Sequence, residues 1–458
     1  MDSSRRIYPL DPKELTEEQL AVVFAMTSRN PRPFDQIAQL VTEAKAADFH
    51  ERWVLNYGHS SVAEHAVIHM AVENISRLAC DTLEDNRLAS YTEKSSRYQL
   101  IDDGFYHVPN ELINHELNSV YTECCNFLFH SYKQSLQATM AYLKDTNPIQ
   151  ESEKQSSYKL RLRRIAIDVC RFILPSATLT NVGVTMNARS WEHAISKLLS
   201  SNLSEEIEIG ELLKTQGQSI TPTLIKYADR NNYLVLSKTI DEYHQPKETS
   251  MGAGECSAEL IHYDANAETK LITSLLYEKA NKPYKDLFAF SEALSVSEKE
   301  SIINKALENL GPHDAPVRQL ENIDYTFDFT MDYGAYREFK RHRMQTYISQ
   351  PLTVDLGYII PDLIEESGQK QDFVAAMDAS SKTFHQIAKK MPRVAEYVVT
   401  HAHLRRVVTK INLRECYHLF KLRTSPQAHF TLRKVMTDAL NIASELHPLL
   451  FKYLRIRT

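Results

Sequence analysis

The sequence predicts an α+β fold built from two tandem, helix-rich repeats, and three observations lead to this prediction. Residues 115–145 and 371–391 carry apolar side chains at three- and four-residue spacing, which is typical of amphipathic helices. The stretch "IDYTFDFTMDY" alternates apolar and polar residues from Tyr325 to Met331, which is the period of a β-strand. Motifs of the first half also recur in the second half, in the same order.

The composition is that of a globular protein whose anion sites must be local. The chain has 458 residues and a net charge of −6, so no global basic field would attract nucleic acid or an anionic membrane. Its 11 glycines include no GxGxxG and no GxxxxGK[ST] pattern. A phosphate ligand would therefore have to be held by arginines, helix N-termini or non-glycine backbone.

Targeting and redox signals indicate a cytoplasmic protein. The N-terminal stretch "MDSSRRIYPLDPKELTEEQL" has no apolar segment of the secretory kind, and no apolar run approaches the roughly 18 residues of a membrane span. The six cysteines form no CxxC pair, and we expect them to be small buried hydrophobic residues in a reducing compartment.

The internal repeat sets the predicted domain boundaries. "NRLASYTEKSSRY" (86–98) matches "HRMQTYISQPLTV" (342–354), and "NARSWEH" (187–193) matches "NLRECYH" (412–418). Between the two halves, residues 241–257 are polar and contain two of the few glycines, so they are the predicted linker. We therefore expect one repeat at 1–240 and the other at 258–458.

Local patterns place the motifs on secondary structure. Residues 66–72 are predicted to form a buried strand, whereas 90–98 and 346–353 are predicted to be loops. A helical stretch that opens at Gly334 is expected to end in Arg341-His342-Arg343, within "REFKRHRMQTY". Such a charge run has two interpretations, a solvated helix face or an anion site.

Taken together, these motifs resemble the flavin-dependent thymidylate synthases over nearly the whole chain, read as two copies. The first copy contributes "YGHSSVAEH" (57–65), "DNRLASYTEKSSRY" (85–98) and "NARSWEH"; the second contributes "REFKRHRMQTYISQPLT" (337–353) and "NLRECYHLFKLR" (412–423). The resemblance implies a small, mainly antiparallel sheet in each repeat and a homodimer that mimics the tetramer of the family. It also implies a methyltransferase that makes dTMP from dUMP, with FAD as cofactor and NADPH and methylenetetrahydrofolate as co-substrates.

The two copies have lost different parts of the family pattern. The first has Asp85-Asn86-Arg87 in place of Arg-His-Arg, and Leu198 in place of a family arginine that the second keeps as Arg423. The second has lost the loop signature and carries Glu396 where the first has Arg171. We therefore hypothesise one composite site built from unlike repeats, with the redundant site abandoned.

The resemblance assigns roles to individual residues. The expected substrate-binding residues are Glu93, Ser95, Ser96, Arg97, Arg171, Arg341 and Arg423. The expected cofactor-binding residues are His59, Ser61, Glu64, Arg341, His342, Arg343, Asn412, Arg414 and His418. Arg341 and Arg423 are the expected catalytic residues, because fixed cations would stabilise charge that develops on the pyrimidine ring.

Other interpretations remain open. The cluster of His59, Glu64, His65 and His69 has metal-ligand character, but its counterpart in the family binds no metal, so no metal is predicted. Glu338 stands where the family usually has Gln. The alternatives are therefore a diverged, non-catalytic nucleotide- or flavin-binding protein, or a flavoenzyme acting on another pyrimidine nucleotide.

Overall fold

The computed structural model describes residues 6–10, 14–237 and 254–457, which divide into two compact units. Unit 1 contains the described residues of Met1–Asn126, Ser176–Thr249 and Gln386–Tyr397, and unit 2 contains those of Phe127–Pro175, Ser250–His385 and Val398–Thr458. The α-helices, in chain order, are α1 Glu17–Met26, α2 Phe34–Ala38, α3 Glu43–Phe49, α4 Arg77–Leu83, α5 Asn118–Thr146, α6 Gln155–Cys170, α7 Ala188–Leu199, α8 Ser204–Ile220, α9 Asn232–Ser237, α10 Ala267–Tyr277, α11 Tyr284–Ala293, α12 Val296–Leu307, α13 Tyr333–Phe339, α14 Asp362–Glu366, α15 Lys370–Ala388, α16 Pro392–Ala395, α17 Leu413–Arg423, α18 Phe430–Leu446 and α19 Pro448–Phe451. Among the described residues, no helix is both long and apolar enough to cross a membrane.

Each unit holds one antiparallel sheet, as expected for an α+β fold of two tandem repeats. The strands are β1 Val67–Ser76, β2 Ala89–Glu93, β3 Leu179–Asn187, β4 Ser257–Tyr263, β5 Asp324–Asp332, β6 Thr346–Ser349 and β7 Leu404–Asn412. Unit 1 has the order β1-β3-β2, and unit 2 has the order β4-β5-β7-β6. The second sheet therefore repeats the first and adds β4 at one edge.

The hydrophobic core of each unit lies between its sheet and its helices. In unit 1, Val182, Val184 and Met186 of β3 pack with Trp191 of α7, which is fully buried. In unit 2 the alternation predicted for β5 is confirmed, since its residues are buried at every second position. The buried set is Tyr325, Phe327, Phe329 and Met331.

A strand, a capping residue and a helix follow one another twice in each unit. Ser76 caps α4 and Asp332 caps α13, each with a side-chain oxygen that accepts from the backbone N–H three residues on. Asn187 caps α7 and Asn412 caps α17 in the same way. Such caps satisfy helix N–H groups that otherwise lack a partner, so they fix where each motif helix begins.

The two repeats differ by one residue in the strand that leads into the first cap. β1 has ten residues and β5 has nine. The register of β1 shifts between Val72 and Ile75, where Asn74 adopts a φ of +57°, so the extra residue forms a β-bulge. The bulge absorbs the insertion and keeps the following helix in its equivalent place.

Several local predictions require correction. The segments 90–98 and 346–353 are not loops throughout, because β2 and β6 occupy their first parts. Side chains of both strands are half-buried at alternate positions. β2 is mostly polar, and the aliphatic side chain of β6, Ile348, is exposed, so neither strand has the apolar alternation that marks a strand in sequence. The strand predicted at 66–72 exists as β1, but it is buried only in part.

The predicted helices are confirmed with shifted ends. The patterns at 115–145 and 371–391 correspond to α5 and α15. The helix predicted to reach the Arg-His-Arg cluster ends at Phe339, and a turn carries the cluster. The linker prediction falls outside the described residues up to residue 253, and Ser257 already belongs to β4.

Each unit contains a segment from the opposite half of the sequence. Residues 127–175, which include α6 and most of α5, belong to unit 2, although the repeat motifs around them lie in unit 1. Residues 386–397, which include α16, belong to unit 1. This reciprocal exchange places Arg171 in unit 2 and its counterpart Glu396 in unit 1.

Candidate functional site

His342 is the centre of the polar cluster in unit 2. It follows α13, and only 3% of it is exposed. Its Nδ1 lies 3.0 Å from Glu415 Oε1, and Arg423 donates from Nε to His342 Nε2 over 3.0 Å. Because Nε2 accepts from a guanidinium, the ring proton lies on Nδ1 and is donated to Glu415. Burial lowers the pKa of His342; Glu415 opposes this shift and Arg423 adds to it, so a neutral ring fits the site.

Glu415 lies between two histidines. Its Oε1 accepts from His342 and is 3.3 Å from Nδ1 of His418, a largely exposed side chain on the next turn of α17. Burial alone would raise the pKa of Glu415, but the bonds from the two histidines outweigh it and hold the pKa below its usual value.

The same three side chains have the composition of a metal site, and their hydrogen bonds argue against that use. The candidate ligand atoms of His342, Glu415 and His418 lie within 4.8 Å of one another. A metal on His342 Nδ1 would require the proton to move to Nε2, where it would face the N–H of Arg423. The geometry therefore favours a hydrogen-bonded cluster.

Glu338 connects this cluster to an arginine from the other half of the sequence. Its Oε2 lies 3.3 Å from Nη1 of Arg423, and its Oε1 lies 3.7 Å from Nη2 of Arg171. Arg171, which follows α6, also pairs with Asp168 over 3.2 Å. The side chains of Glu338, Arg423 and Arg171 are 10%, 18% and 5% exposed, so the charges interact with little screening by water.

A further buried acid lies at the start of α13. Asp332 is fully buried, and burial raises its pKa to about 6, against the opposing effects of a hydrogen bond from Thr431 and the charge of Arg171. It accepts from the N–H of Ala335 at 2.8 Å, so it combines the role of a helix cap with that of a buried acid.

A cavity of about 460 Å³ lies beside α17. Asn412, Arg414 and His418, three of the predicted cofactor residues, line it. Part of their hydrogen-bonding capacity is used within the protein, since Asn412 caps α17 and Arg414 pairs with Glu321 over 2.6 Å. The remaining lining combines aromatic, aliphatic and cationic side chains, including Tyr417, Met344, Leu422, Tyr453 and Lys421.

Unit 1 has a cavity of about 840 Å³ at the equivalent place, lined by the altered motif residues. Asp85 pairs with Lys197 at 3.6 Å, and Glu64 pairs with Arg189 at 2.5 Å. Asp85 and Glu64, two acids that line this cavity, are thus each paired with a base of the first copy. His59 lies outside it and stacks with Trp53 and Tyr57, while Ser61 is exposed.

The predicted phosphate clamp is divided between the units. Glu93, Ser95, Ser96 and Arg97 belong to unit 1, where Glu93 accepts from Arg77 at 2.8 Å and from Thr180 at 3.0 Å. The side chain of Glu93 is 3% exposed, so it orients a buried arginine. Beyond it, the N–H of Arg97 donates to Ser95 Oγ at 3.2 Å, which forms a tight turn. Arg171 belongs to unit 2, with Arg341, His342, Arg343 and Arg423.

Sequence reasoning missed two acids that organise the cluster, Glu415 and Asp168. Both could have been recognised from their spacing in the sequence. Glu415 is three residues before His418, and Asp168 is three residues before Arg171. Residues at this spacing share a helix face, so each acid could have been assigned to its basic partner.

Fold and cluster together define a class: a duplicated α+β protein with a buried arginine-carboxylate-histidine cluster in its second unit. The family "Thy1: Thymidylate synthase complementing protein" matches residues 13–222 and 259–449. The chain belongs to this family and carries two copies of its domain.

Two relatives found by sequence agree with this assignment. The chain is 31% identical to a UPF0159 protein of Chlamydia muridarum over 432 residues, 90% of this chain and 81% of the relative. It is 25% identical to the flavin-dependent thymidylate synthase of Clostridium tetani over 214 residues, 46% of this chain and 82% of that protein. A solved flavin-dependent thymidylate synthase of Helicobacter pylori, complexed with FAD and dUMP, is similar to 44% of this chain and 100% of its own, at 14% identity and a TM-score of 0.35.

Proposed function

We propose that the protein methylates dUMP to dTMP with FAD, methylenetetrahydrofolate and NADPH, using one composite site built from unlike repeats. One observation carries the proposal: the carboxylate of Glu338 faces two arginines of the same chain. Its Oε1 faces Arg171 and its Oε2 faces Arg423. The family resemblance gives Arg171 to the substrate phosphate and Arg423 to the pyrimidine. The two cations come from unlike repeats, as the composite-site hypothesis requires.

Arg423 is the central catalytic residue of this proposal. Carbon–carbon bond formation at C5 of uracil places negative charge on the O4–C4–N3 side of the ring, and a fixed guanidinium stabilises it without reorganising. His342 is a positioning residue: its unprotonated Nε2 accepts from Arg423 Nε, and Glu415 fixes that tautomer. Arg341, exposed at the end of the same turn, is the second proposed catalytic cation.

The residues around the 460 Å³ cavity fit a flavin nucleotide. Guanidinium and ammonium groups suit phosphates, and the aromatic and aliphatic side chains suit a flat ring. Asn412, Arg414 and His418 line this cavity and would hold the flavin there. The other proposed cofactor-binding residues, as the family resemblance implies, are Arg341, His342, Arg343, His59, Ser61 and Glu64. Bound FAD would supply the redox chemistry, and the protein would supply position and charge.

The proposed substrate-binding elements, as the family resemblance implies, are Arg171 and the turn at Ser95–Arg97. Arginine binds phosphate oxygens through two parallel N–H donors, and hydroxyl and backbone N–H groups add neutral donors. Glu93 serves this turn indirectly, through its pair with Arg77. We also propose a homodimer in the cytoplasm, with NADPH and the folate as small-molecule partners.

Glu338 favours a second candidate, a nucleotide-binding protein that has lost catalysis. A carboxylate between Arg171 and Arg423 neutralises charge that the reaction would use. If the protein methylates dUMP, the substrate phosphate must compete with Glu338 for Arg171. If it has lost catalysis, the ion pair between Glu338 and Arg171 is permanent.

The test is catalysis by the purified full chain. The first proposal expects a yellow protein that oxidises NADPH faster with dUMP and forms dTMP, detected by mass spectrometry. Arg423→Ala should abolish dTMP formation, while Lys410→Ala, which removes an exposed partner of Asp324, should leave it unchanged. A yellow or nucleotide-binding protein that forms no dTMP supports the second candidate.

Mixing variants tests the composite site. Because Arg171 and Arg423 share Glu338 within one chain, Arg171→Ala and Arg423→Ala proteins should each be inactive and should regain no activity when mixed. Recovery on mixing would mean that the two arginines act from different chains.

A further inference from the structure

A second cavity of unit 2, of about 610 Å³, is lined by cations without a carboxylate. The cations are Lys421, Arg423, Arg455 and Arg457. This lining is unusual in a chain whose acidic residues outnumber its basic ones, 59 to 53. Asp314, Glu321 and Glu415 line only the adjoining 460 Å³ cavity.

Three of the four cations have no acidic partner among the described residues. Arg423 is committed to Glu338 and His342. Lys421 donates to the backbone oxygen of Pro312, which leaves its charge uncompensated, and Arg455 and Arg457 form no ion pair within the described part of the chain. Like charges held close together repel, so an anion between them would relieve that repulsion.

The two C-terminal arginines lie outside the family match. The second family segment ends at residue 449, and the sequence continues past α19 with "KYLRIRT". Arg455 and Arg457 alternate along this segment with Leu454 and Ile456, which also line one or other cavity. The cationic lining therefore lies partly beyond the matched segment.

We propose that this cavity binds an anion with two or more linked phosphate groups. Linked phosphates carry several neighbouring charges, which matches several cations around one cavity better than a single phosphate does. The inference requires neither a flavin nor dUMP, so it does not rest on the proposed reaction.

Calorimetric titration of the full chain with tripolyphosphate tests the proposal. The variant Arg455→Gln/Arg457→Gln should bind about tenfold more weakly, because it loses charge-assisted bonds. The matched control is Lys452→Gln on the same segment: Lys452 faces Glu300 and Asn304 and lines neither cavity, so affinity should stay within about twofold. Circular dichroism and melting temperature check that each variant is folded.

Titrations with ATP and FAD distinguish the sources of such phosphates. A loss confined to tripolyphosphate and ATP indicates a site for free phosphates or a nucleotide. A loss of FAD affinity indicates that a cofactor diphosphate binds these arginines, which line both cavities. The proposal is overturned if the wild-type chain binds none of the three, if the double variant binds all three as the wild type does, or if Lys452→Gln weakens binding equally.

Discussion

Glu338 is the sharpest point at which to perturb the site, because one carboxylate faces two arginines. Its Oε1 lies 3.7 Å from Arg171 Nη2. Two unit charges at 3.7 Å and an effective dielectric constant of about 20 interact by about 4.5 kcal/mol. A phosphate that binds Arg171 must take over part of this interaction. If the substitution Glu338→Gln makes a third of this interaction energy available to the phosphate, the affinity for dUMP rises about tenfold.

The assay is calorimetric titration of the wild type and Glu338→Gln with dUMP and, separately, with deoxyuridine. The nucleoside lacks the phosphate, so its affinity should change by less than about twofold. Glu365→Gln removes the charge of an exposed acid paired with Lys370 and controls for a general change in net charge. Unchanged or weaker binding of dUMP by folded Glu338→Gln would refute the idea that Glu338 competes with phosphate for Arg171.

Further predictions concern stability. Arg77→Met should lower the free energy of unfolding in urea by about 3–5 kcal/mol, because it leaves the buried Glu93 without its cation. The double variant Arg77→Met/Glu93→Gln should recover part of that loss. Equal stability of the single variant and the wild type would contradict this prediction. The folded-state pKa of Asp332, about 6, exceeds the ordinary 3.8, so its favourable contribution is complete below about pH 4 and is lost as pH rises through 6. Asp332→Asn keeps a capping side chain and should be more stable than the wild type by up to about 3 kcal/mol at pH 7.5, with the difference vanishing near pH 4; a difference independent of pH would count against the raised pKa. At the bulge, Asn74→Val should cost about 1–2 kcal/mol and Asn74→Gly much less, because valine disfavours positive φ; similar melting temperatures for both variants would contradict this reason.

The parts of the fold that local patterns encode were predictable. β5 alternates apolar and polar residues, and α5 and α15 repeat apolar residues at helical spacing, so each was found from sequence. The edge strands β2 and β6 were not, because their sequences lack an alternation of apolar and polar residues and their place is set by pairing with β3 and β7. Tertiary pairing overrides weak local preference in such strands.

The site was predictable to the extent that it repeats family motifs. The association of Arg423 with His342 followed from two motifs that the resemblance links, but their meeting with Arg171 at Glu338 depends on which unit α6 joins. The unit to which α6 belongs is determined by the packing of residues 127–175, and a periodic pattern in the sequence does not reveal it. Glu415 and Asp168, by contrast, lay within reach of a simple spacing rule.

The exchanged segments also determine the order in which the chain can fold as it leaves the ribosome. Unit 1 contains residues 386–397, so its last part is synthesised only after most of unit 2 has emerged. N-terminal domains generally fold first during synthesis, but here the first half must wait, or fold without that segment and admit it later. Cutting the gene between the repeats would therefore give two fragments that each lack a piece of their own packing.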